Sequence, residues 1–281
     1  MSSVRLRQSR FVSRIGIYFV VASGGLIMMI PFLWMLSTSL KTTSQTMAFP
    51  PEWWPHPVQW QNYTTIWQYL PFFRFFLNSV KIVLFVLLGQ LTTCSLAAYA
   101  FAKLRFPGRR VMFLVLLATM MIPGQVTLIP VFIIMKALRW VNTHYALIVP
   151  AFFGSAFGTF LLRQFFLSIP NDLEDAARID GCSPFGIYWR IMLPLAKPAL
   201  ATLAIFTFMG TWNDFMRPLI YLSDMRKMTL PVGLALLSNH QDIRIQLIMA
   251  GAMVSLLPIL LLYIFGQKYF VRGIALSGMK A

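Results

Sequence analysis

The sequence predicts an all-α membrane protein with six transmembrane helices, and three observations carry that prediction. The 281-residue chain is 58% hydrophobic and only 11% charged, with a mean hydropathy of +0.70. Its apolar residues gather into runs of roughly twenty residues, long enough to cross a bilayer's hydrocarbon core as helices. The formal net charge of +16 is parcelled into short clusters between those runs rather than gathered in one stripe or domain. That distribution fits membrane topology and gives no reason to expect nucleic acid as a partner. Lipid is the expected surrounding.

Taken in order, residues 1–14 carry Arg5, Arg7, Arg10 and Arg14 and no acid, and the first span follows at 15–36. The run is longer than a signal-peptide core and lacks a clear cleavage end, so it reads as a retained span, with Pro31 placed to kink its outer end. The connection 38–72 is rich in Pro, Trp and Tyr, with a short helix expected over 60–70. Its Trp53, Trp54, Trp60, Trp67 and Tyr69 read as an aromatic belt at the membrane interface, the alternative being a platform for a sugar ring. The second span covers 75–101 and is followed by the basic loop Lys103, Arg105, Arg109 and Arg110. The third covers 111–135, with Pro123-Gly124 and Pro130 inside it, either as a packing kink or as a bend lining a pathway. The fourth, 145–162, contains Gly154, Ser155, Ala156 and Gly158, small residues that allow close helix contact. The fifth and sixth cover 199–222 and 245–265, and Lys268, Arg272 and Lys280 follow the last.

Six spans put both termini on one side. Most Lys and Arg residues fall at the termini and in the loops 102–110 and 163–197, so the positive-inside rule makes that side cytoplasmic. Three regions result: 1–72 with the first span and its aromatic-rich connection, the core 73–270, and a cytoplasmic tail 271–281. Cys94 and Cys182 lie in different environments. His56, His144 and His240 are far apart without ligand spacing, so a solvated or interfacial place is expected for each.

The most acidic stretch of this basic chain is 170–198. It holds Asp172, Glu174, Asp175 and Asp180, half of all the acidic residues. Pro170 and the three acids after it favour the start of a helix, where negative charge meets the positive end of the dipole. Glu174 and Arg178 can pair at i,i+4. Gly181 ends that helix in a left-handed cap, and Ser183-Pro184 starts a second. On the residues alone, this is either a small docking helix with an Ala-Ala face or an amphipathic loop helix lying on the membrane surface.

In the fifth span, Asn213, Asp214 and Arg217 are costly in lipid and ask for a role. Asp214 and Arg217 at i,i+3 either pair with each other, or Asn213 and Asp214 offer hydrogen bonds to a hydroxyl-rich cargo or a partner chain at an outer gate. No G-x-x-x-x-G-K-[ST], H-E-x-x-H or G-x-S-x-G occurs. The chain therefore has no phosphate cradle for ATP and no motif of a membrane enzyme.

The run Asp175-Ala176-Ala177, Gly181, Ile191 and Leu193-Pro194 resembles the EAA loop of ABC importer permeases, with every spacing kept. Asp175 stands where the family has Glu, one methylene shorter. The wider string from Glu174 to Gly181 is similar to the carbohydrate importers, as are residues 98–110, 121–132, 230–237 and 250–274. Together these stretches resemble the smaller, maltose-type permease subunit.

That resemblance implies the type I ABC importer permease fold, with spans two to six as the shared core. It implies a non-catalytic subunit that moves a sugar or oligosaccharide across the cytoplasmic membrane by alternating access, with no cofactor of its own. The implied partners are a second homologous permease forming a heterodimer, two ATP-binding cassette subunits that bind the ATP, and an extracytoplasmic solute-binding protein. Glu174, Asp175, Ala176, Ala177, Asp180 and Gly181, within the loop 170–195, are then expected to couple to the ATPase. Asn213 and Asp214 are expected on the translocation path or outer gate, and the loop tip Ser238, Asn239, His240 and Gln241 against the binding protein. Glycerol-3-phosphate or a polyol is the alternative cargo, and an ATP-independent channel or receptor-like protein the alternative class.

Overall fold

The computed structural model describes residues 2–238 and 244–278, and among these every regular element is helical. α1 (Ser2–Ser39) continues through Pro31 without interruption. Two short helices follow, α2 (Thr43–Thr46) and α3 (Gln61–Tyr69), the latter where the sequence places one. Next come α4 (Phe72–Lys103), α5 (Arg109–Thr119), α6 (Gly124–Ala137), α7 (Tyr145–Phe152) and α8 (Ala156–Ser168). The acidic loop is built from α9 (Asp172–Ile179), α10 (Pro184–Ile187), a π-helical turn (Tyr188–Met192) and α11 (Leu193–Leu195). After it come α12 (Lys197–Trp212), α13 (Met216–Tyr221), a 3₁₀ turn (Met225–Lys227), α14 (Leu230–Ser238) and α15 (Ile245–Gly278).

Four stretches are long and apolar enough to span a bilayer singly: Gly16–Ser39, Phe72–Lys103, Tyr145–Ser168 and Ile245–Gln267. Two bent pairs, Arg109–Thr119 with Gly124–Ala137 and Pro184–Leu195 with Lys197–Trp212, bring the number to six if each is one span. The expected third span is a pair of helices bent by 100°, with the Pro123-Gly124 expected inside it at the bend. Pro123 has no N–H to donate and sits in an extended conformation (φ −60°, ψ 133°), so α6 begins afresh after it. The fourth span is interrupted at residues 153–155, where Gly154 has φ +101°. The fifth breaks at 213–215, where Asp214 Oδ1 accepts from the Arg217 N–H at 3.4 Å across the first turn of α13.

The described residues fall into two compact units. One lies within Met1–Leu70 and Leu236–Val254, the other within Pro71–Ala235 and Ser255–Ala281. In the first, the connection after α1 is tied down. Asn62 donates to the carbonyls of Ser39 and Lys41, each at 2.9 Å, and the Gln59 N–H donates to Leu40 O at 2.8 Å. Lys41 is 1% exposed, with its ammonium 3.9 Å from the Trp34 ring centroid. Burial pulls its pKa below the ordinary lysine value against the opposing pull of Glu52, and the ring face supplies part of the lost hydration.

In the second unit α4 packs against α7, α8 and α12. Gly89 is where α7 comes closest, since a Cβ there would overlap the ring of Phe152. The backbone freed at the α7–α8 break finds its partners on the next turn of α4. Thr93 Oγ1 donates to Phe152 O at 3.1 Å, and the Ser155 N–H donates to Cys94 Sγ at 3.3 Å. Ser155 Oγ then caps α8 by accepting from the Gly158 N–H at 3.0 Å.

A second tie joins the turn after α6 to the segment after α13. Asn142 donates its N–H to Tyr221 O at 2.7 Å, and its Oδ1 accepts from the N–H groups of Ser223 and Asp224. His144 is half-buried at the start of α7, with Nε2 2.8 Å from Lys227 O. Burial, more than the nearby Lys81 and Lys227, holds its pKa below the ordinary imidazole value.

Two outcomes follow for stability in detergent. Gly89→Val should destabilise by about 1–3 kcal/mol, the usual cost of overpacking, whereas Gly24→Ala, with open space around it, should change stability by less than about 1 kcal/mol. Thermal unfolding of the two variants checks this, and an unchanged Gly89→Val contradicts the close approach. For His144 the neutral ring is the folded form. Its contribution is present above the unfolded pKa of about 6.5 and is lost as pH falls through the lower folded value. His144→Gln should therefore lose less stability than the parent between about pH 7 and pH 5. Identical pH dependence of the two melting temperatures would remove His144 from the account.

Candidate functional site

The acidic loop is built as its sequence reads. α9 opens with Asp172, Glu174 and Asp175 in its first turn and closes on Arg178. At its end Gly181 (φ +79°) donates to Arg178 O at 3.0 Å, and the next N–H, of Cys182, reaches back to Ala177 O at 2.9 Å. This pair of bonds is a Schellman cap, and the left-handed residue it needs is Gly181. Ser183 Oγ accepts from the Gly186 N–H at 3.2 Å and Pro184 takes the first position of α10. Lys103, at the end of α4, holds the entry to the loop by donating to Ile169 O (2.8 Å) and Asn171 Oδ1 (2.7 Å).

The expected coupling residues divide between two faces. Asp175, Ala176, Asp180 and Gly181 are exposed, but Glu174 (4% exposed) and Ala177 face the chain's own core. Glu174 accepts from Arg178 Nη2 at 2.7 Å, the pairing expected at i,i+4. The flat Ala-Ala face is thus split, because adjacent helical positions point about 100° apart. The exposed face instead carries Ile179, which is 87% exposed, and the stacked pair Phe185 and Trp189, with centroids 6.4 Å apart. Sequence reasoning missed these three. Their signal was an i,i+4 aromatic pair and an isoleucine standing between two charges.

Beneath that face the loop joins the core of the second unit. Ile187, Met192 and Ala196 are fully buried. The Tyr188 and Ser95 hydroxyls lie 2.7 Å apart, and the Tyr188 ring is 5.5 Å from that of Tyr99 on α4. The π-helical turn puts Tyr188 in this position; such turns recur at functional sites.

In the break after α12, Asp214 Oδ2 accepts from Arg217 Nε at 2.7 Å, so the pair reading of these residues holds in this structure. Asn213 is exposed and its amide donates to Met209 O at 3.0 Å, leaving it off the nearby cavity. That half-open cavity of about 200 Å³ is lined by Gln90, Ser155, Phe157, Thr207, Thr211 and Arg217 among others. Thr207 Oγ1 donates to Gln90 Oε1 at 2.9 Å. Of the expected binding-protein tip, Ser238 is exposed at the end of α14, and Asn239, His240 and Gln241 lie outside the described residues. Among the described residues no three His, Cys, Asp or Glu side chains gather as a metal site would.

Comparison with known proteins places these features in a family. Residues 90–276 match the model for the inner membrane component of binding-protein-dependent transport systems. The chain is 39% identical over 209 residues to the arabinooligosaccharides transport permease AraQ of Halalkalibacterium halodurans, covering 74% of this chain and 75% of that one. It is 33% identical over 267 residues to AraQ of Bacillus subtilis, covering 94% of each. Among solved structures, a chain of a bacterial ABC transporter that imports the acidic polysaccharide alginate superposes with a TM-score of 0.80. That match has 26% identity and covers 91% of this chain and 96% of that one.

Proposed function

We propose that this chain, which belongs to the family of binding-protein-dependent transport system inner membrane components, is the permease subunit of an ABC importer for a neutral or charged sugar or oligosaccharide. The likeness to AraQ and to the alginate importer supports that cargo class, and with it alternating access in place of an ATP-independent channel. The single observation that carries the coupling part of the reading is the capped α9–α10 loop. It presents Asp175, Ala176, Ile179 and Phe185 outward and fastens its inner face to α4. A surface of that kind takes a push from a partner and passes it to a spanning helix.

The energy then comes from ATP bound and hydrolysed on two partner subunits, since this chain has no phosphate cradle. A second homologous permease completes the path, and a solute-binding protein delivers cargo on the opposite face. Both termini and the loop 170–195 lie on the cytoplasmic side, where Lys and Arg concentrate. Asp175, Ala176, Asp180 and Gly181, joined by Ile179 and Phe185, make the docking contact. Glu174 and Ala177 act inside, holding the shape of α9.

Gly181→Val places a β-branched residue in a left-handed conformation, at a cost of roughly 1–2 kcal/mol or more. Uptake and ATPase stimulation by the loaded binding protein should fall at least about tenfold in complexes that assemble normally, whereas Gly181→Asn, which tolerates that conformation, should keep most activity. Uptake by Gly181→Val at the parental rate and expression would sink the coupling assignment. For topology, single cysteines at Ser44 and Pro107 in a background lacking Cys94 and Cys182 are probed with a membrane-impermeant thiol reagent. Ser44→Cys should label on intact cells and Pro107→Cys only after permeabilisation. Labelling of Pro107→Cys from outside would invert the orientation.

A further inference from the structure

The half-open cavity beside the α12 break is lined by hydrogen-bonding groups that are not fully committed. Gln90 uses its Oε1 to accept from Thr207, and its Nε2 has no partner among the described residues. Arg217 spends Nε and its backbone N–H on Asp214, and its two terminal nitrogens have no partner among the described residues. Thr207 and Thr211 line the same cavity. Phe157 and Phe206 also line the cavity, and their rings meet edge to face, with centroids 5.5 Å apart and planes at 82°.

Planar amide and guanidinium donors sharing one cavity with apolar rings make a site for a ring-shaped molecule with hydroxyls around its rim. The donors bond neighbouring hydroxyls, and the rings accept the molecule's C–H face. The volume, about 200 Å³, is below that of a drug-sized pocket and suits one ring at a time. Charge decides the class further. Arg217 is the one ionised group lining this cavity, and Asp214 already neutralises it at 2.7 Å. A carboxylate, phosphate or sulfonate entering here would meet Asp214 as a like charge and find no second cation.

We infer that this chain itself carries a cargo subsite, formed by Gln90, Thr207, Thr211 and Arg217 against Phe157 and Phe206, for one uncharged, hydroxyl-rich sugar ring. The inference rests on the sugar-importer reading and narrows it to neutral cargo.

Uptake is measured in cells carrying the complete importer with its own binding protein, using labelled arabinotriose and maltotriose as neutral probes and trigalacturonate as the anionic one. The parent should take up a neutral trisaccharide and discriminate against trigalacturonate. Gln90→Leu and the near-isosteric Thr207→Val each remove hydrogen bonding, and should lower uptake at subsaturating sugar by about tenfold in complexes that assemble to parental yield. Asp214→Asn leaves Arg217 uncompensated and should shift selectivity towards trigalacturonate. Parental uptake of a neutral probe by both Gln90→Leu and Thr207→Val would overturn the subsite and leave the importer reading standing. Parental uptake of trigalacturonate as fast as the neutral probes would overturn the charge assignment. Uptake of none of the three by the parent would sink the sugar reading and the subsite together.

Discussion

Within a bilayer every backbone N–H and C=O must find its partner inside the protein, and the second unit is organised around meeting that demand where its helices stop. The α7–α8 break would leave a carbonyl and an amide stranded. Thr93 and Cys94 on α4 take them up. The next residue, Ser95, lies about 100° further round the helix and meets Tyr188 of the acidic loop instead. Three consecutive small polar residues on α4 thus serve a broken span on one side and the π-helical turn on another. Gly89, one turn earlier, lets Phe152 come close enough for this to work.

The loop was legible because its determinants are local. A glycine in a left-handed cap, a serine before proline and acids in a first turn each act within a few residues, and all appear where the sequence puts them. The spans were legible as apolar runs but their interruptions were not. Hydropathy sums over a window and is indifferent to whether α12 ends at Trp212 or continues. At the break Asp214 turns to Arg217, three residues on, through both its backbone N–H and its guanidinium. Likewise Pro123 announced a disturbance, and its size came only from the tertiary arrangement.

The division of the expected coupling residues has a similar origin. The family resemblance pointed to one functional cluster, but an eight-residue helix lying on a core must bury one of its sides. Glu174 falls on that side and is tolerated because Arg178 pairs with it. Its carboxylate thereby stiffens the helix from within, and the outward positions inherit a fixed geometry. Lys41 in the first unit illustrates the same rule with an aromatic face beside the charge of Glu52.

The bend between α5 and α6 sets a condition on the surrounding lipid. At 1.5 Å per residue the 11-residue α5 is roughly 17 Å long and the 14-residue α6 roughly 21 Å, against a hydrocarbon layer of about 30 Å. Neither arm is long enough to cross alone, so a crossing at this point takes both, set at 100° to each other. Both arms carry exposed apolar side chains, among them Val111, Met121 near the hinge, and Ile129. Acyl chains beside this pair must shorten locally or the arms must re-angle to stay covered. Bilayer thickness therefore enters the mechanics of this protein as a variable in its own right, set by the cell's choice of fatty acids rather than by any residue of the chain.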